Sequence, residues 1–113
     1  MKRVLIGLVS IVVLAAFAGL ASAQDAAKGA KVFTDQKCSL CHSIAGKGNA
    51  KGALDDVGSK LKPEEIRQWI TDPVGMTAKA KATRKPPMTA KYGSLSKDDL
   101  DNLVAYLSSL KKS

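Results

Sequence analysis

Cys38-Ser39-Leu40-Cys41-His42 gathers both cysteines and the only histidine of the 113-residue chain into five positions. In a C-x-x-C-H run the two thiols can add across the two vinyl groups of one haem. The adjacent imidazole then lies under the iron as an axial ligand. Two intervening residues let one turn of chain present both sulfurs to the same porphyrin edge. Rival chemistries fit less well. A redox C-x-x-C sits at the end of a strand in a βαβ context, and no β-rich run flanks this one. A zinc site needs about four ligands, and Cys38, Cys41 and His42 are the only Cys or His residues available. The motif also leaves nothing for a disulfide, a thiol nucleophile or a histidine base.

With His42 on one face of the iron, the other face takes a second ligand or stays open. Past the N-terminal segment the soft donors are Met76 and Met88, and a thioether opposite histidine raises the potential and suits electron transfer. Met88 follows Pro86-Pro87, whose fixed φ angles stiffen the chain and can hold a weak ligand in place. It is therefore favoured. Met76, in Pro73-Val74-Gly75-Met76-Thr77, is the alternative on a less constrained stretch. A lysine ligand would first have to lose its proton through burial. An open iron is the remaining case, and it would make the chain a ligand-binding haem protein.

Three helices are expected to position these groups. The first runs from about Asp25 to Gln36, with Ala26, Ala30, Val32 and Phe33 on its apolar side. Gly29 in its interior costs about 1 kcal/mol relative to Ala, which points to a close helix crossing. The second starts at Pro63 with Glu64 and Glu65 at its positive end. Ile66, Trp69 and Ile70 form its apolar face, and Asp72-Pro73 stops it. The third begins at the cap Ser96-Lys97-Asp98-Asp99. Its stripe is Leu100, Leu103, Val104, Leu107 and Leu110, with Lys111 and Lys112 at the C-terminal end. The intervening segments, Ser43 to Leu61 and Val74 to Leu95, are read as long loops. Loops of that length usually serve a function, and wrapping a flat cofactor is one.

Met1-Lys2-Arg3, the apolar run Val4 to Leu20 and Ala21-Ser22-Ala23 have the layout of a secretory signal, residues 1–23, cleaved before Gln24. A retained membrane anchor is the competing reading, since the apolar run is near the lower limit for spanning a bilayer. Either way the domain, residues 24–113, is exported, with the periplasm as its expected location. Export suits the motif, because bacteria complete covalent haem attachment outside the cytoplasmic membrane. A domain this short buries a modest core. Phe33, Trp69, Tyr92 and Tyr106 are its only aromatics, so a porphyrin would supply missing apolar bulk. The exported part carries 16 basic and 10 acidic residues. No acid falls in 37–54 or 73–97, which hold Lys37, Lys47, Lys51, Lys79, Lys81, Arg84, Lys85, Lys91 and Lys97. That segregation suggests a cationic docking face rather than scattered solubilising charge.

Taken together, residues 24–113 resemble a small class I cytochrome c. Gly29 and Phe33 ahead of the C-x-x-C-H run, Leu54, Gly58-Ser59-Lys60, Trp69, Pro86-Pro87-Met88 and Tyr106 match the family position by position. The resemblance implies an all-α fold, three or more helices and long loops wrapped around one haem c attached through Cys38 and Cys41. It implies His42 and Met88 as axial ligands and Trp69 pointing at a propionate. Tyr106 is read as a core residue at the crossing of the terminal helices. The family often has Gly-Pro-x-Leu where this chain has Gly52-Ala53-Leu54-Asp55, which moves the expected acceptor for the His42 imidazole to the Ala53 carbonyl. Lys60 stands where an arginine near a propionate is common. The implied function is one-electron carriage by Fe(II)/Fe(III) cycling in a respiratory or photosynthetic chain. The protein is expected to act as a monomer and not as an enzyme. Its partners would be acidic, such as a terminal oxidase, a reductase complex or a photosynthetic reaction centre. The alternatives are a haem subunit of a dedicated dehydrogenase or oxidase, or a gas sensor. Peroxidase chemistry lacks a distal histidine, and no motif supports nucleic-acid binding.

Overall fold

The computed structural model describes residues 25–112; the expected signal segment lies outside the described residues. The fold is all-α. Its helices are α1 (Ala26–Asp35), α2 (Val57–Lys60), α3 (Pro63–Thr71), α4 (Pro73–Ala80) and α5 (Lys97–Ser108). Short 3₁₀ turns occupy Cys38–Leu40, Ala50–Gly52 and Ala90–Ser94. The sole sheet among the described residues is a two-stranded antiparallel ribbon, β1 (Ser43–Ile44) with β2 (Lys47–Gly48). No helix among the described residues is long and apolar enough to cross a membrane.

Side chains at the helix starts satisfy backbone N–H groups that have no partner within the helix. Asp25 accepts from Lys28 N at 3.0 Å, and Ser96 Oγ accepts from Asp99 N at 3.1 Å. Glu65 accepts from the Lys62 backbone N–H at 3.0 Å, one half of a capping box. The apolar faces then meet. Val32 and Phe33 of α1, Ile66 and Ile70 of α3, and Leu103, Val104 and Leu107 of α5 form the buried core. At the α1–α5 crossing Gly29 lies against the Asn102 carbonyl and Tyr106 Cβ, leaving no room for a side chain. Beside it the Phe33 and Tyr106 rings meet edge to face, centroids 6.0 Å apart.

Three features of the sequence reading are corrected. The segment from Val74 is helical, not loop, as far as Ala80. Pro73 does end α3, but a proline also suits the first turn of a helix. Asp72, whose side chain accepts from Gly75 N at 3.1 Å, caps the new one. Periodicity could not reveal α4: it buries only Pro73 and leaves Val74 69% exposed. The segment Ser43 to Leu61 likewise contains the β-ribbon and α2. Its tight turn uses Ala45 and Gly46 at φ 52° and 80°, as a two-residue hairpin requires. Finally, α5 stops at Ser108, so Lys111 and Lys112 lie beyond its last turn. The chain turns back instead: Gly58 N donates to Leu110 O at 2.8 Å and Lys112 N to Asp56 Oδ1 at 2.8 Å.

Candidate functional site

The 3₁₀ turn after α1 brings the motif out of the helix. Lys37 at φ 58° reverses the chain, and Cys41 N and His42 N both donate to Cys38 O, at 3.2 and 3.0 Å. Cys38 and Cys41 therefore sit one turn apart, the arrangement that the motif chemistry needs. Asn49 staples this turn from outside. Its backbone N–H donates to Ser39 O and His42 O, both at 3.1 Å, and its Nδ2 to Leu40 O at 3.3 Å. Gly48, at φ 109°, lies so close to the His42 carbonyl that any Cβ would collide with it.

His42 then faces a cavity with about 760 Å³ of empty space, part of it open to solvent. Cys38 and His42 line one side of it with Leu54, Val57 and Leu61. Ile66, Trp69 and Ile70 of α3 line it further, with Leu103 and Leu107 of α5 and Phe33 of α1. Met88 and Tyr92 complete the lining from the segment between α4 and α5. Of the expected site residues, Cys38, His42, Trp69 and Met88 thus share one wall system. Cys41 is exposed and lies outside that lining, and Met76 on α4 is also outside it. Lys60 is exposed at the end of α2 and does not line the cavity.

The imidazole is anchored. His42 Nδ1 donates to the Gly52 carbonyl at 3.0 Å, which corrects the expectation that Ala53 would accept. The 3₁₀ turn Ala50–Gly52 ends with the Gly52 carbonyl at the ring, while Leu54 N bonds Ser43 O at 2.8 Å to fix the next residues in place. Burial holds the imidazole below its ordinary histidine pKa; the bond to Gly52 opposes this and the Arg84 charge adds to it. The ring is accordingly neutral at pH 7, with Nε2 left as a lone-pair donor. Burial pushes the Cys38 thiol up.

These residues fit a haem. The donor set is one anchored neutral imidazole, a thioether and two thiols a turn apart, and the walls are almost wholly apolar. A flat apolar macrocycle with an iron centre asks for that combination. The described residues hold no cluster of three or more His, Cys, Asp or Glu suited to a bare metal ion. The role of Arg84 escaped the sequence reading: its Nη2 donates to Cys41 O at 2.5 Å, a contact across 43 positions that no local pattern signals.

All nine cations of the acid-free segments are exposed. Lys97, however, pairs with Asp101 of α5 at 2.8 Å, which removes it from the uncompensated set. The other eight make no ion pair among the described residues. Lys91 rests 5.0 Å from the centroid of the Tyr92 ring.

The family model described as Cytochrome c matches residues 26–111. The chain is also similar to cytochrome c oxidase subunit 2 of Alkalihalophilus pseudofirmus, 30% identical over 93 residues. That match covers 74% of this chain and 25% of the relative, so the chain spans about a quarter of the relative's length. No solved structure matches.

Proposed function

The chain belongs to the cytochrome c family, and from that membership we propose that it is an exported mono-haem carrier of single electrons in a respiratory or photosynthetic chain. Membership implies covalently bound haem c and haem-based electron transfer. The observation that carries the finer reading is the lining of one apolar cavity by Cys38, His42 and Met88.

When bound, the haem supplies reversible one-electron exchange between ferrous and ferric iron. Cys38 and Cys41 would hold it through thioether bonds to its two vinyl groups. His42, steadied through Nδ1 by Gly52, offers Nε2, and Met88 offers its thioether from the segment before α5. Both donor atoms are neutral, so each would have its lone pair free for the iron without first losing a proton. The apolar side chains of α3 and α5 line the site with hydrocarbon. Trp69, half-buried in the wall, would give its indole N–H to a propionate. The eight uncompensated cations would draw the protein to acidic partners such as a terminal oxidase, a reductase complex or a reaction centre.

Optical spectroscopy of the ferric holoprotein tests the ligand set. A weak near-infrared charge-transfer band of a methionine–ferric bond is expected in the parent and in Met76→Ala, and its loss in Met88→Ala. The reduced parent should refuse carbon monoxide. A parent without the band that takes up carbon monoxide readily would overturn the carrier reading in favour of a ligand-binding haem protein. N-terminal sequencing of the exported protein, expected to begin at Gln24, tests removal of residues 1–23. A retained segment would make it membrane-anchored.

The likeness to an oxidase subunit supports a second reading, in which this domain serves as the haem part of one dedicated oxidase. A stoichiometric partner that stays bound through purification from native membranes would favour it. A free monomer would favour the diffusing carrier.

A further inference from the structure

Apart from the packing of Met88 itself against the core, the segment that carries it is hydrogen-bonded to the fold through a single side chain among the described residues. Among the described residues, no backbone hydrogen bond outside the regular elements involves residues 83–88. The polar tie is Arg84, whose guanidinium donates to the Cys41 carbonyl at 2.5 Å. Cys41 adjoins His42, so this bond links the Met88 segment to the motif turn that carries His42. The guanidinium also lies against Gly52, where a Cβ would collide with both the guanidinium and the Cys41 carbonyl. Gly52 is the residue whose carbonyl anchors His42. No ion pair among the described residues engages Arg84, so no carboxylate competes for it. Only Lys85-Pro86-Pro87 separates Arg84 from Met88. Two fixed φ angles leave that link little slack, so restraint at Arg84 is passed on to Met88.

We propose that Arg84 is a positioning residue that latches the Met88 segment onto the Cys41–Gly52 side of the haem cavity and so holds the sixth ligand in place. This rests on the reading of Met88 as that ligand. Arg84 itself touches neither donor. It acts by lowering the fraction of time for which the segment stands open.

The ferric holoprotein titrated with imidazole reads that fraction. Imidazole reaches the iron only when Met88 has left, so its apparent affinity rises in proportion to the open population. Loss of the near-infrared band reports binding. Arg84→Ala is expected to tighten imidazole binding roughly three- to tenfold, the range for losing a charged hydrogen bond at an exposed site. Arg84→Lys should recover part of the restraint, since an ammonium reaches the carbonyl as a point donor without the fork. Arg67→Ala, remote from this segment, breaks the 2.7 Å pair with Asp101. It should lower thermal stability and leave imidazole affinity unchanged, which separates a local latch from general loosening. Should Arg84→Ala fail to fold, Arg84→Gln, which drops the charge, and Arg84→Lys carry the test. Imidazole affinity unchanged in the Arg84 variants, with the band present in the parent, overturns the latch alone. A band that survives Met88→Ala overturns the ligand reading and the latch together.

Discussion

Replacing Gly29 by alanine should destabilise the protein, although in an isolated helix the same change stabilises. Intrinsic propensity favours Ala over Gly by about 1 kcal/mol in a helix interior. At the α1–α5 crossing the new Cβ would stand 2.6 Å from Tyr106 Cβ and collide with the Asn102 carbonyl. Carbon atoms rest at about 3.5–4.0 Å, so the two helices must part by roughly 1 Å. The obstacle is main chain and cannot swing aside, which places the cost near the upper end of the ~1–3 kcal/mol typical of overpacking. Parting also loosens the Phe33–Tyr106 edge-to-face pair, worth about 0.5–1.5 kcal/mol. After the propensity gain, a net loss of about 2–3 kcal/mol remains. At ~4–8 °C per kcal/mol for a domain of this size, Gly29→Ala should melt roughly 10–20 °C below the parent. The assay is thermal unfolding of the ferric holoprotein by far-UV circular dichroism. Ala27→Gly, on the exposed side of α1, should lose only about 1 kcal/mol. A Gly29→Ala protein that melts at or above the parent would refute the argument, since propensity alone predicts that result.

The side chains that line the cavity face a space that a haem would fill, so a Cys38→Ala/Cys41→Ala chain made without haem should show no cooperative thermal transition. A native-like melt of that chain would sink the expectation. Electron transfer to an acidic partner should slow steeply as the screening length shrinks from ~10 Å at 0.1 M salt to ~3 Å at 1 M; stopped-flow rates indifferent to salt would count against the cationic face. Asp101 accepts from Lys97 and Arg67, which hold its carboxyl below the ordinary value of 3.8. Its folded pKa is therefore depressed, and its contribution is full above that ordinary value and lost as pH falls through the folded one. Asp101→Asn should accordingly flatten the acid limb of the melting-temperature profile below about pH 4, and an unchanged limb would exclude the Arg67–Asp101–Lys97 cluster as a source of acid sensitivity.

Helices α1, α3 and α5 were readable because each announces itself locally. Each has an apolar stripe at helical spacing and a start signal at Asp25, Pro63 or Ser96. The need for a close crossing was readable too, since Gly29 is costly in a helix unless space demands it. Helix α4 was not readable: its residues bury almost nothing, and its capping residue, Asp72, looks in sequence like a terminator of α3. The hairpin at Ala45-Gly46 hides for a related reason, since neither of its strands exceeds two residues and no alternation can show. The two cationic segments were visible as an absence of acids. Lys97 pairs with Asp101 four residues on, a contact that the helix capped at Ser96 made readable but that a search for acid-free segments passes over.

Both thiols, the single imidazole and the two candidate thioethers are properties of the sequence itself, because chemistry at an atom does not depend on the path of the chain. The spacing of the motif likewise fixes that Cys38 and Cys41 can meet one ligand, since everything involved lies within one turn. Which thioether shares a cavity with His42 was decided by tertiary structure, which gathers Met88 into the wall and leaves Met76 outside it. The same holds for the Gly52 carbonyl as anchor of the ring and for the Arg84 contact with Cys41. Those outcomes depend on how the chain between 43 and 95 turns back across the helices. Local periodicity carries no information about a contact between residues 43 positions apart.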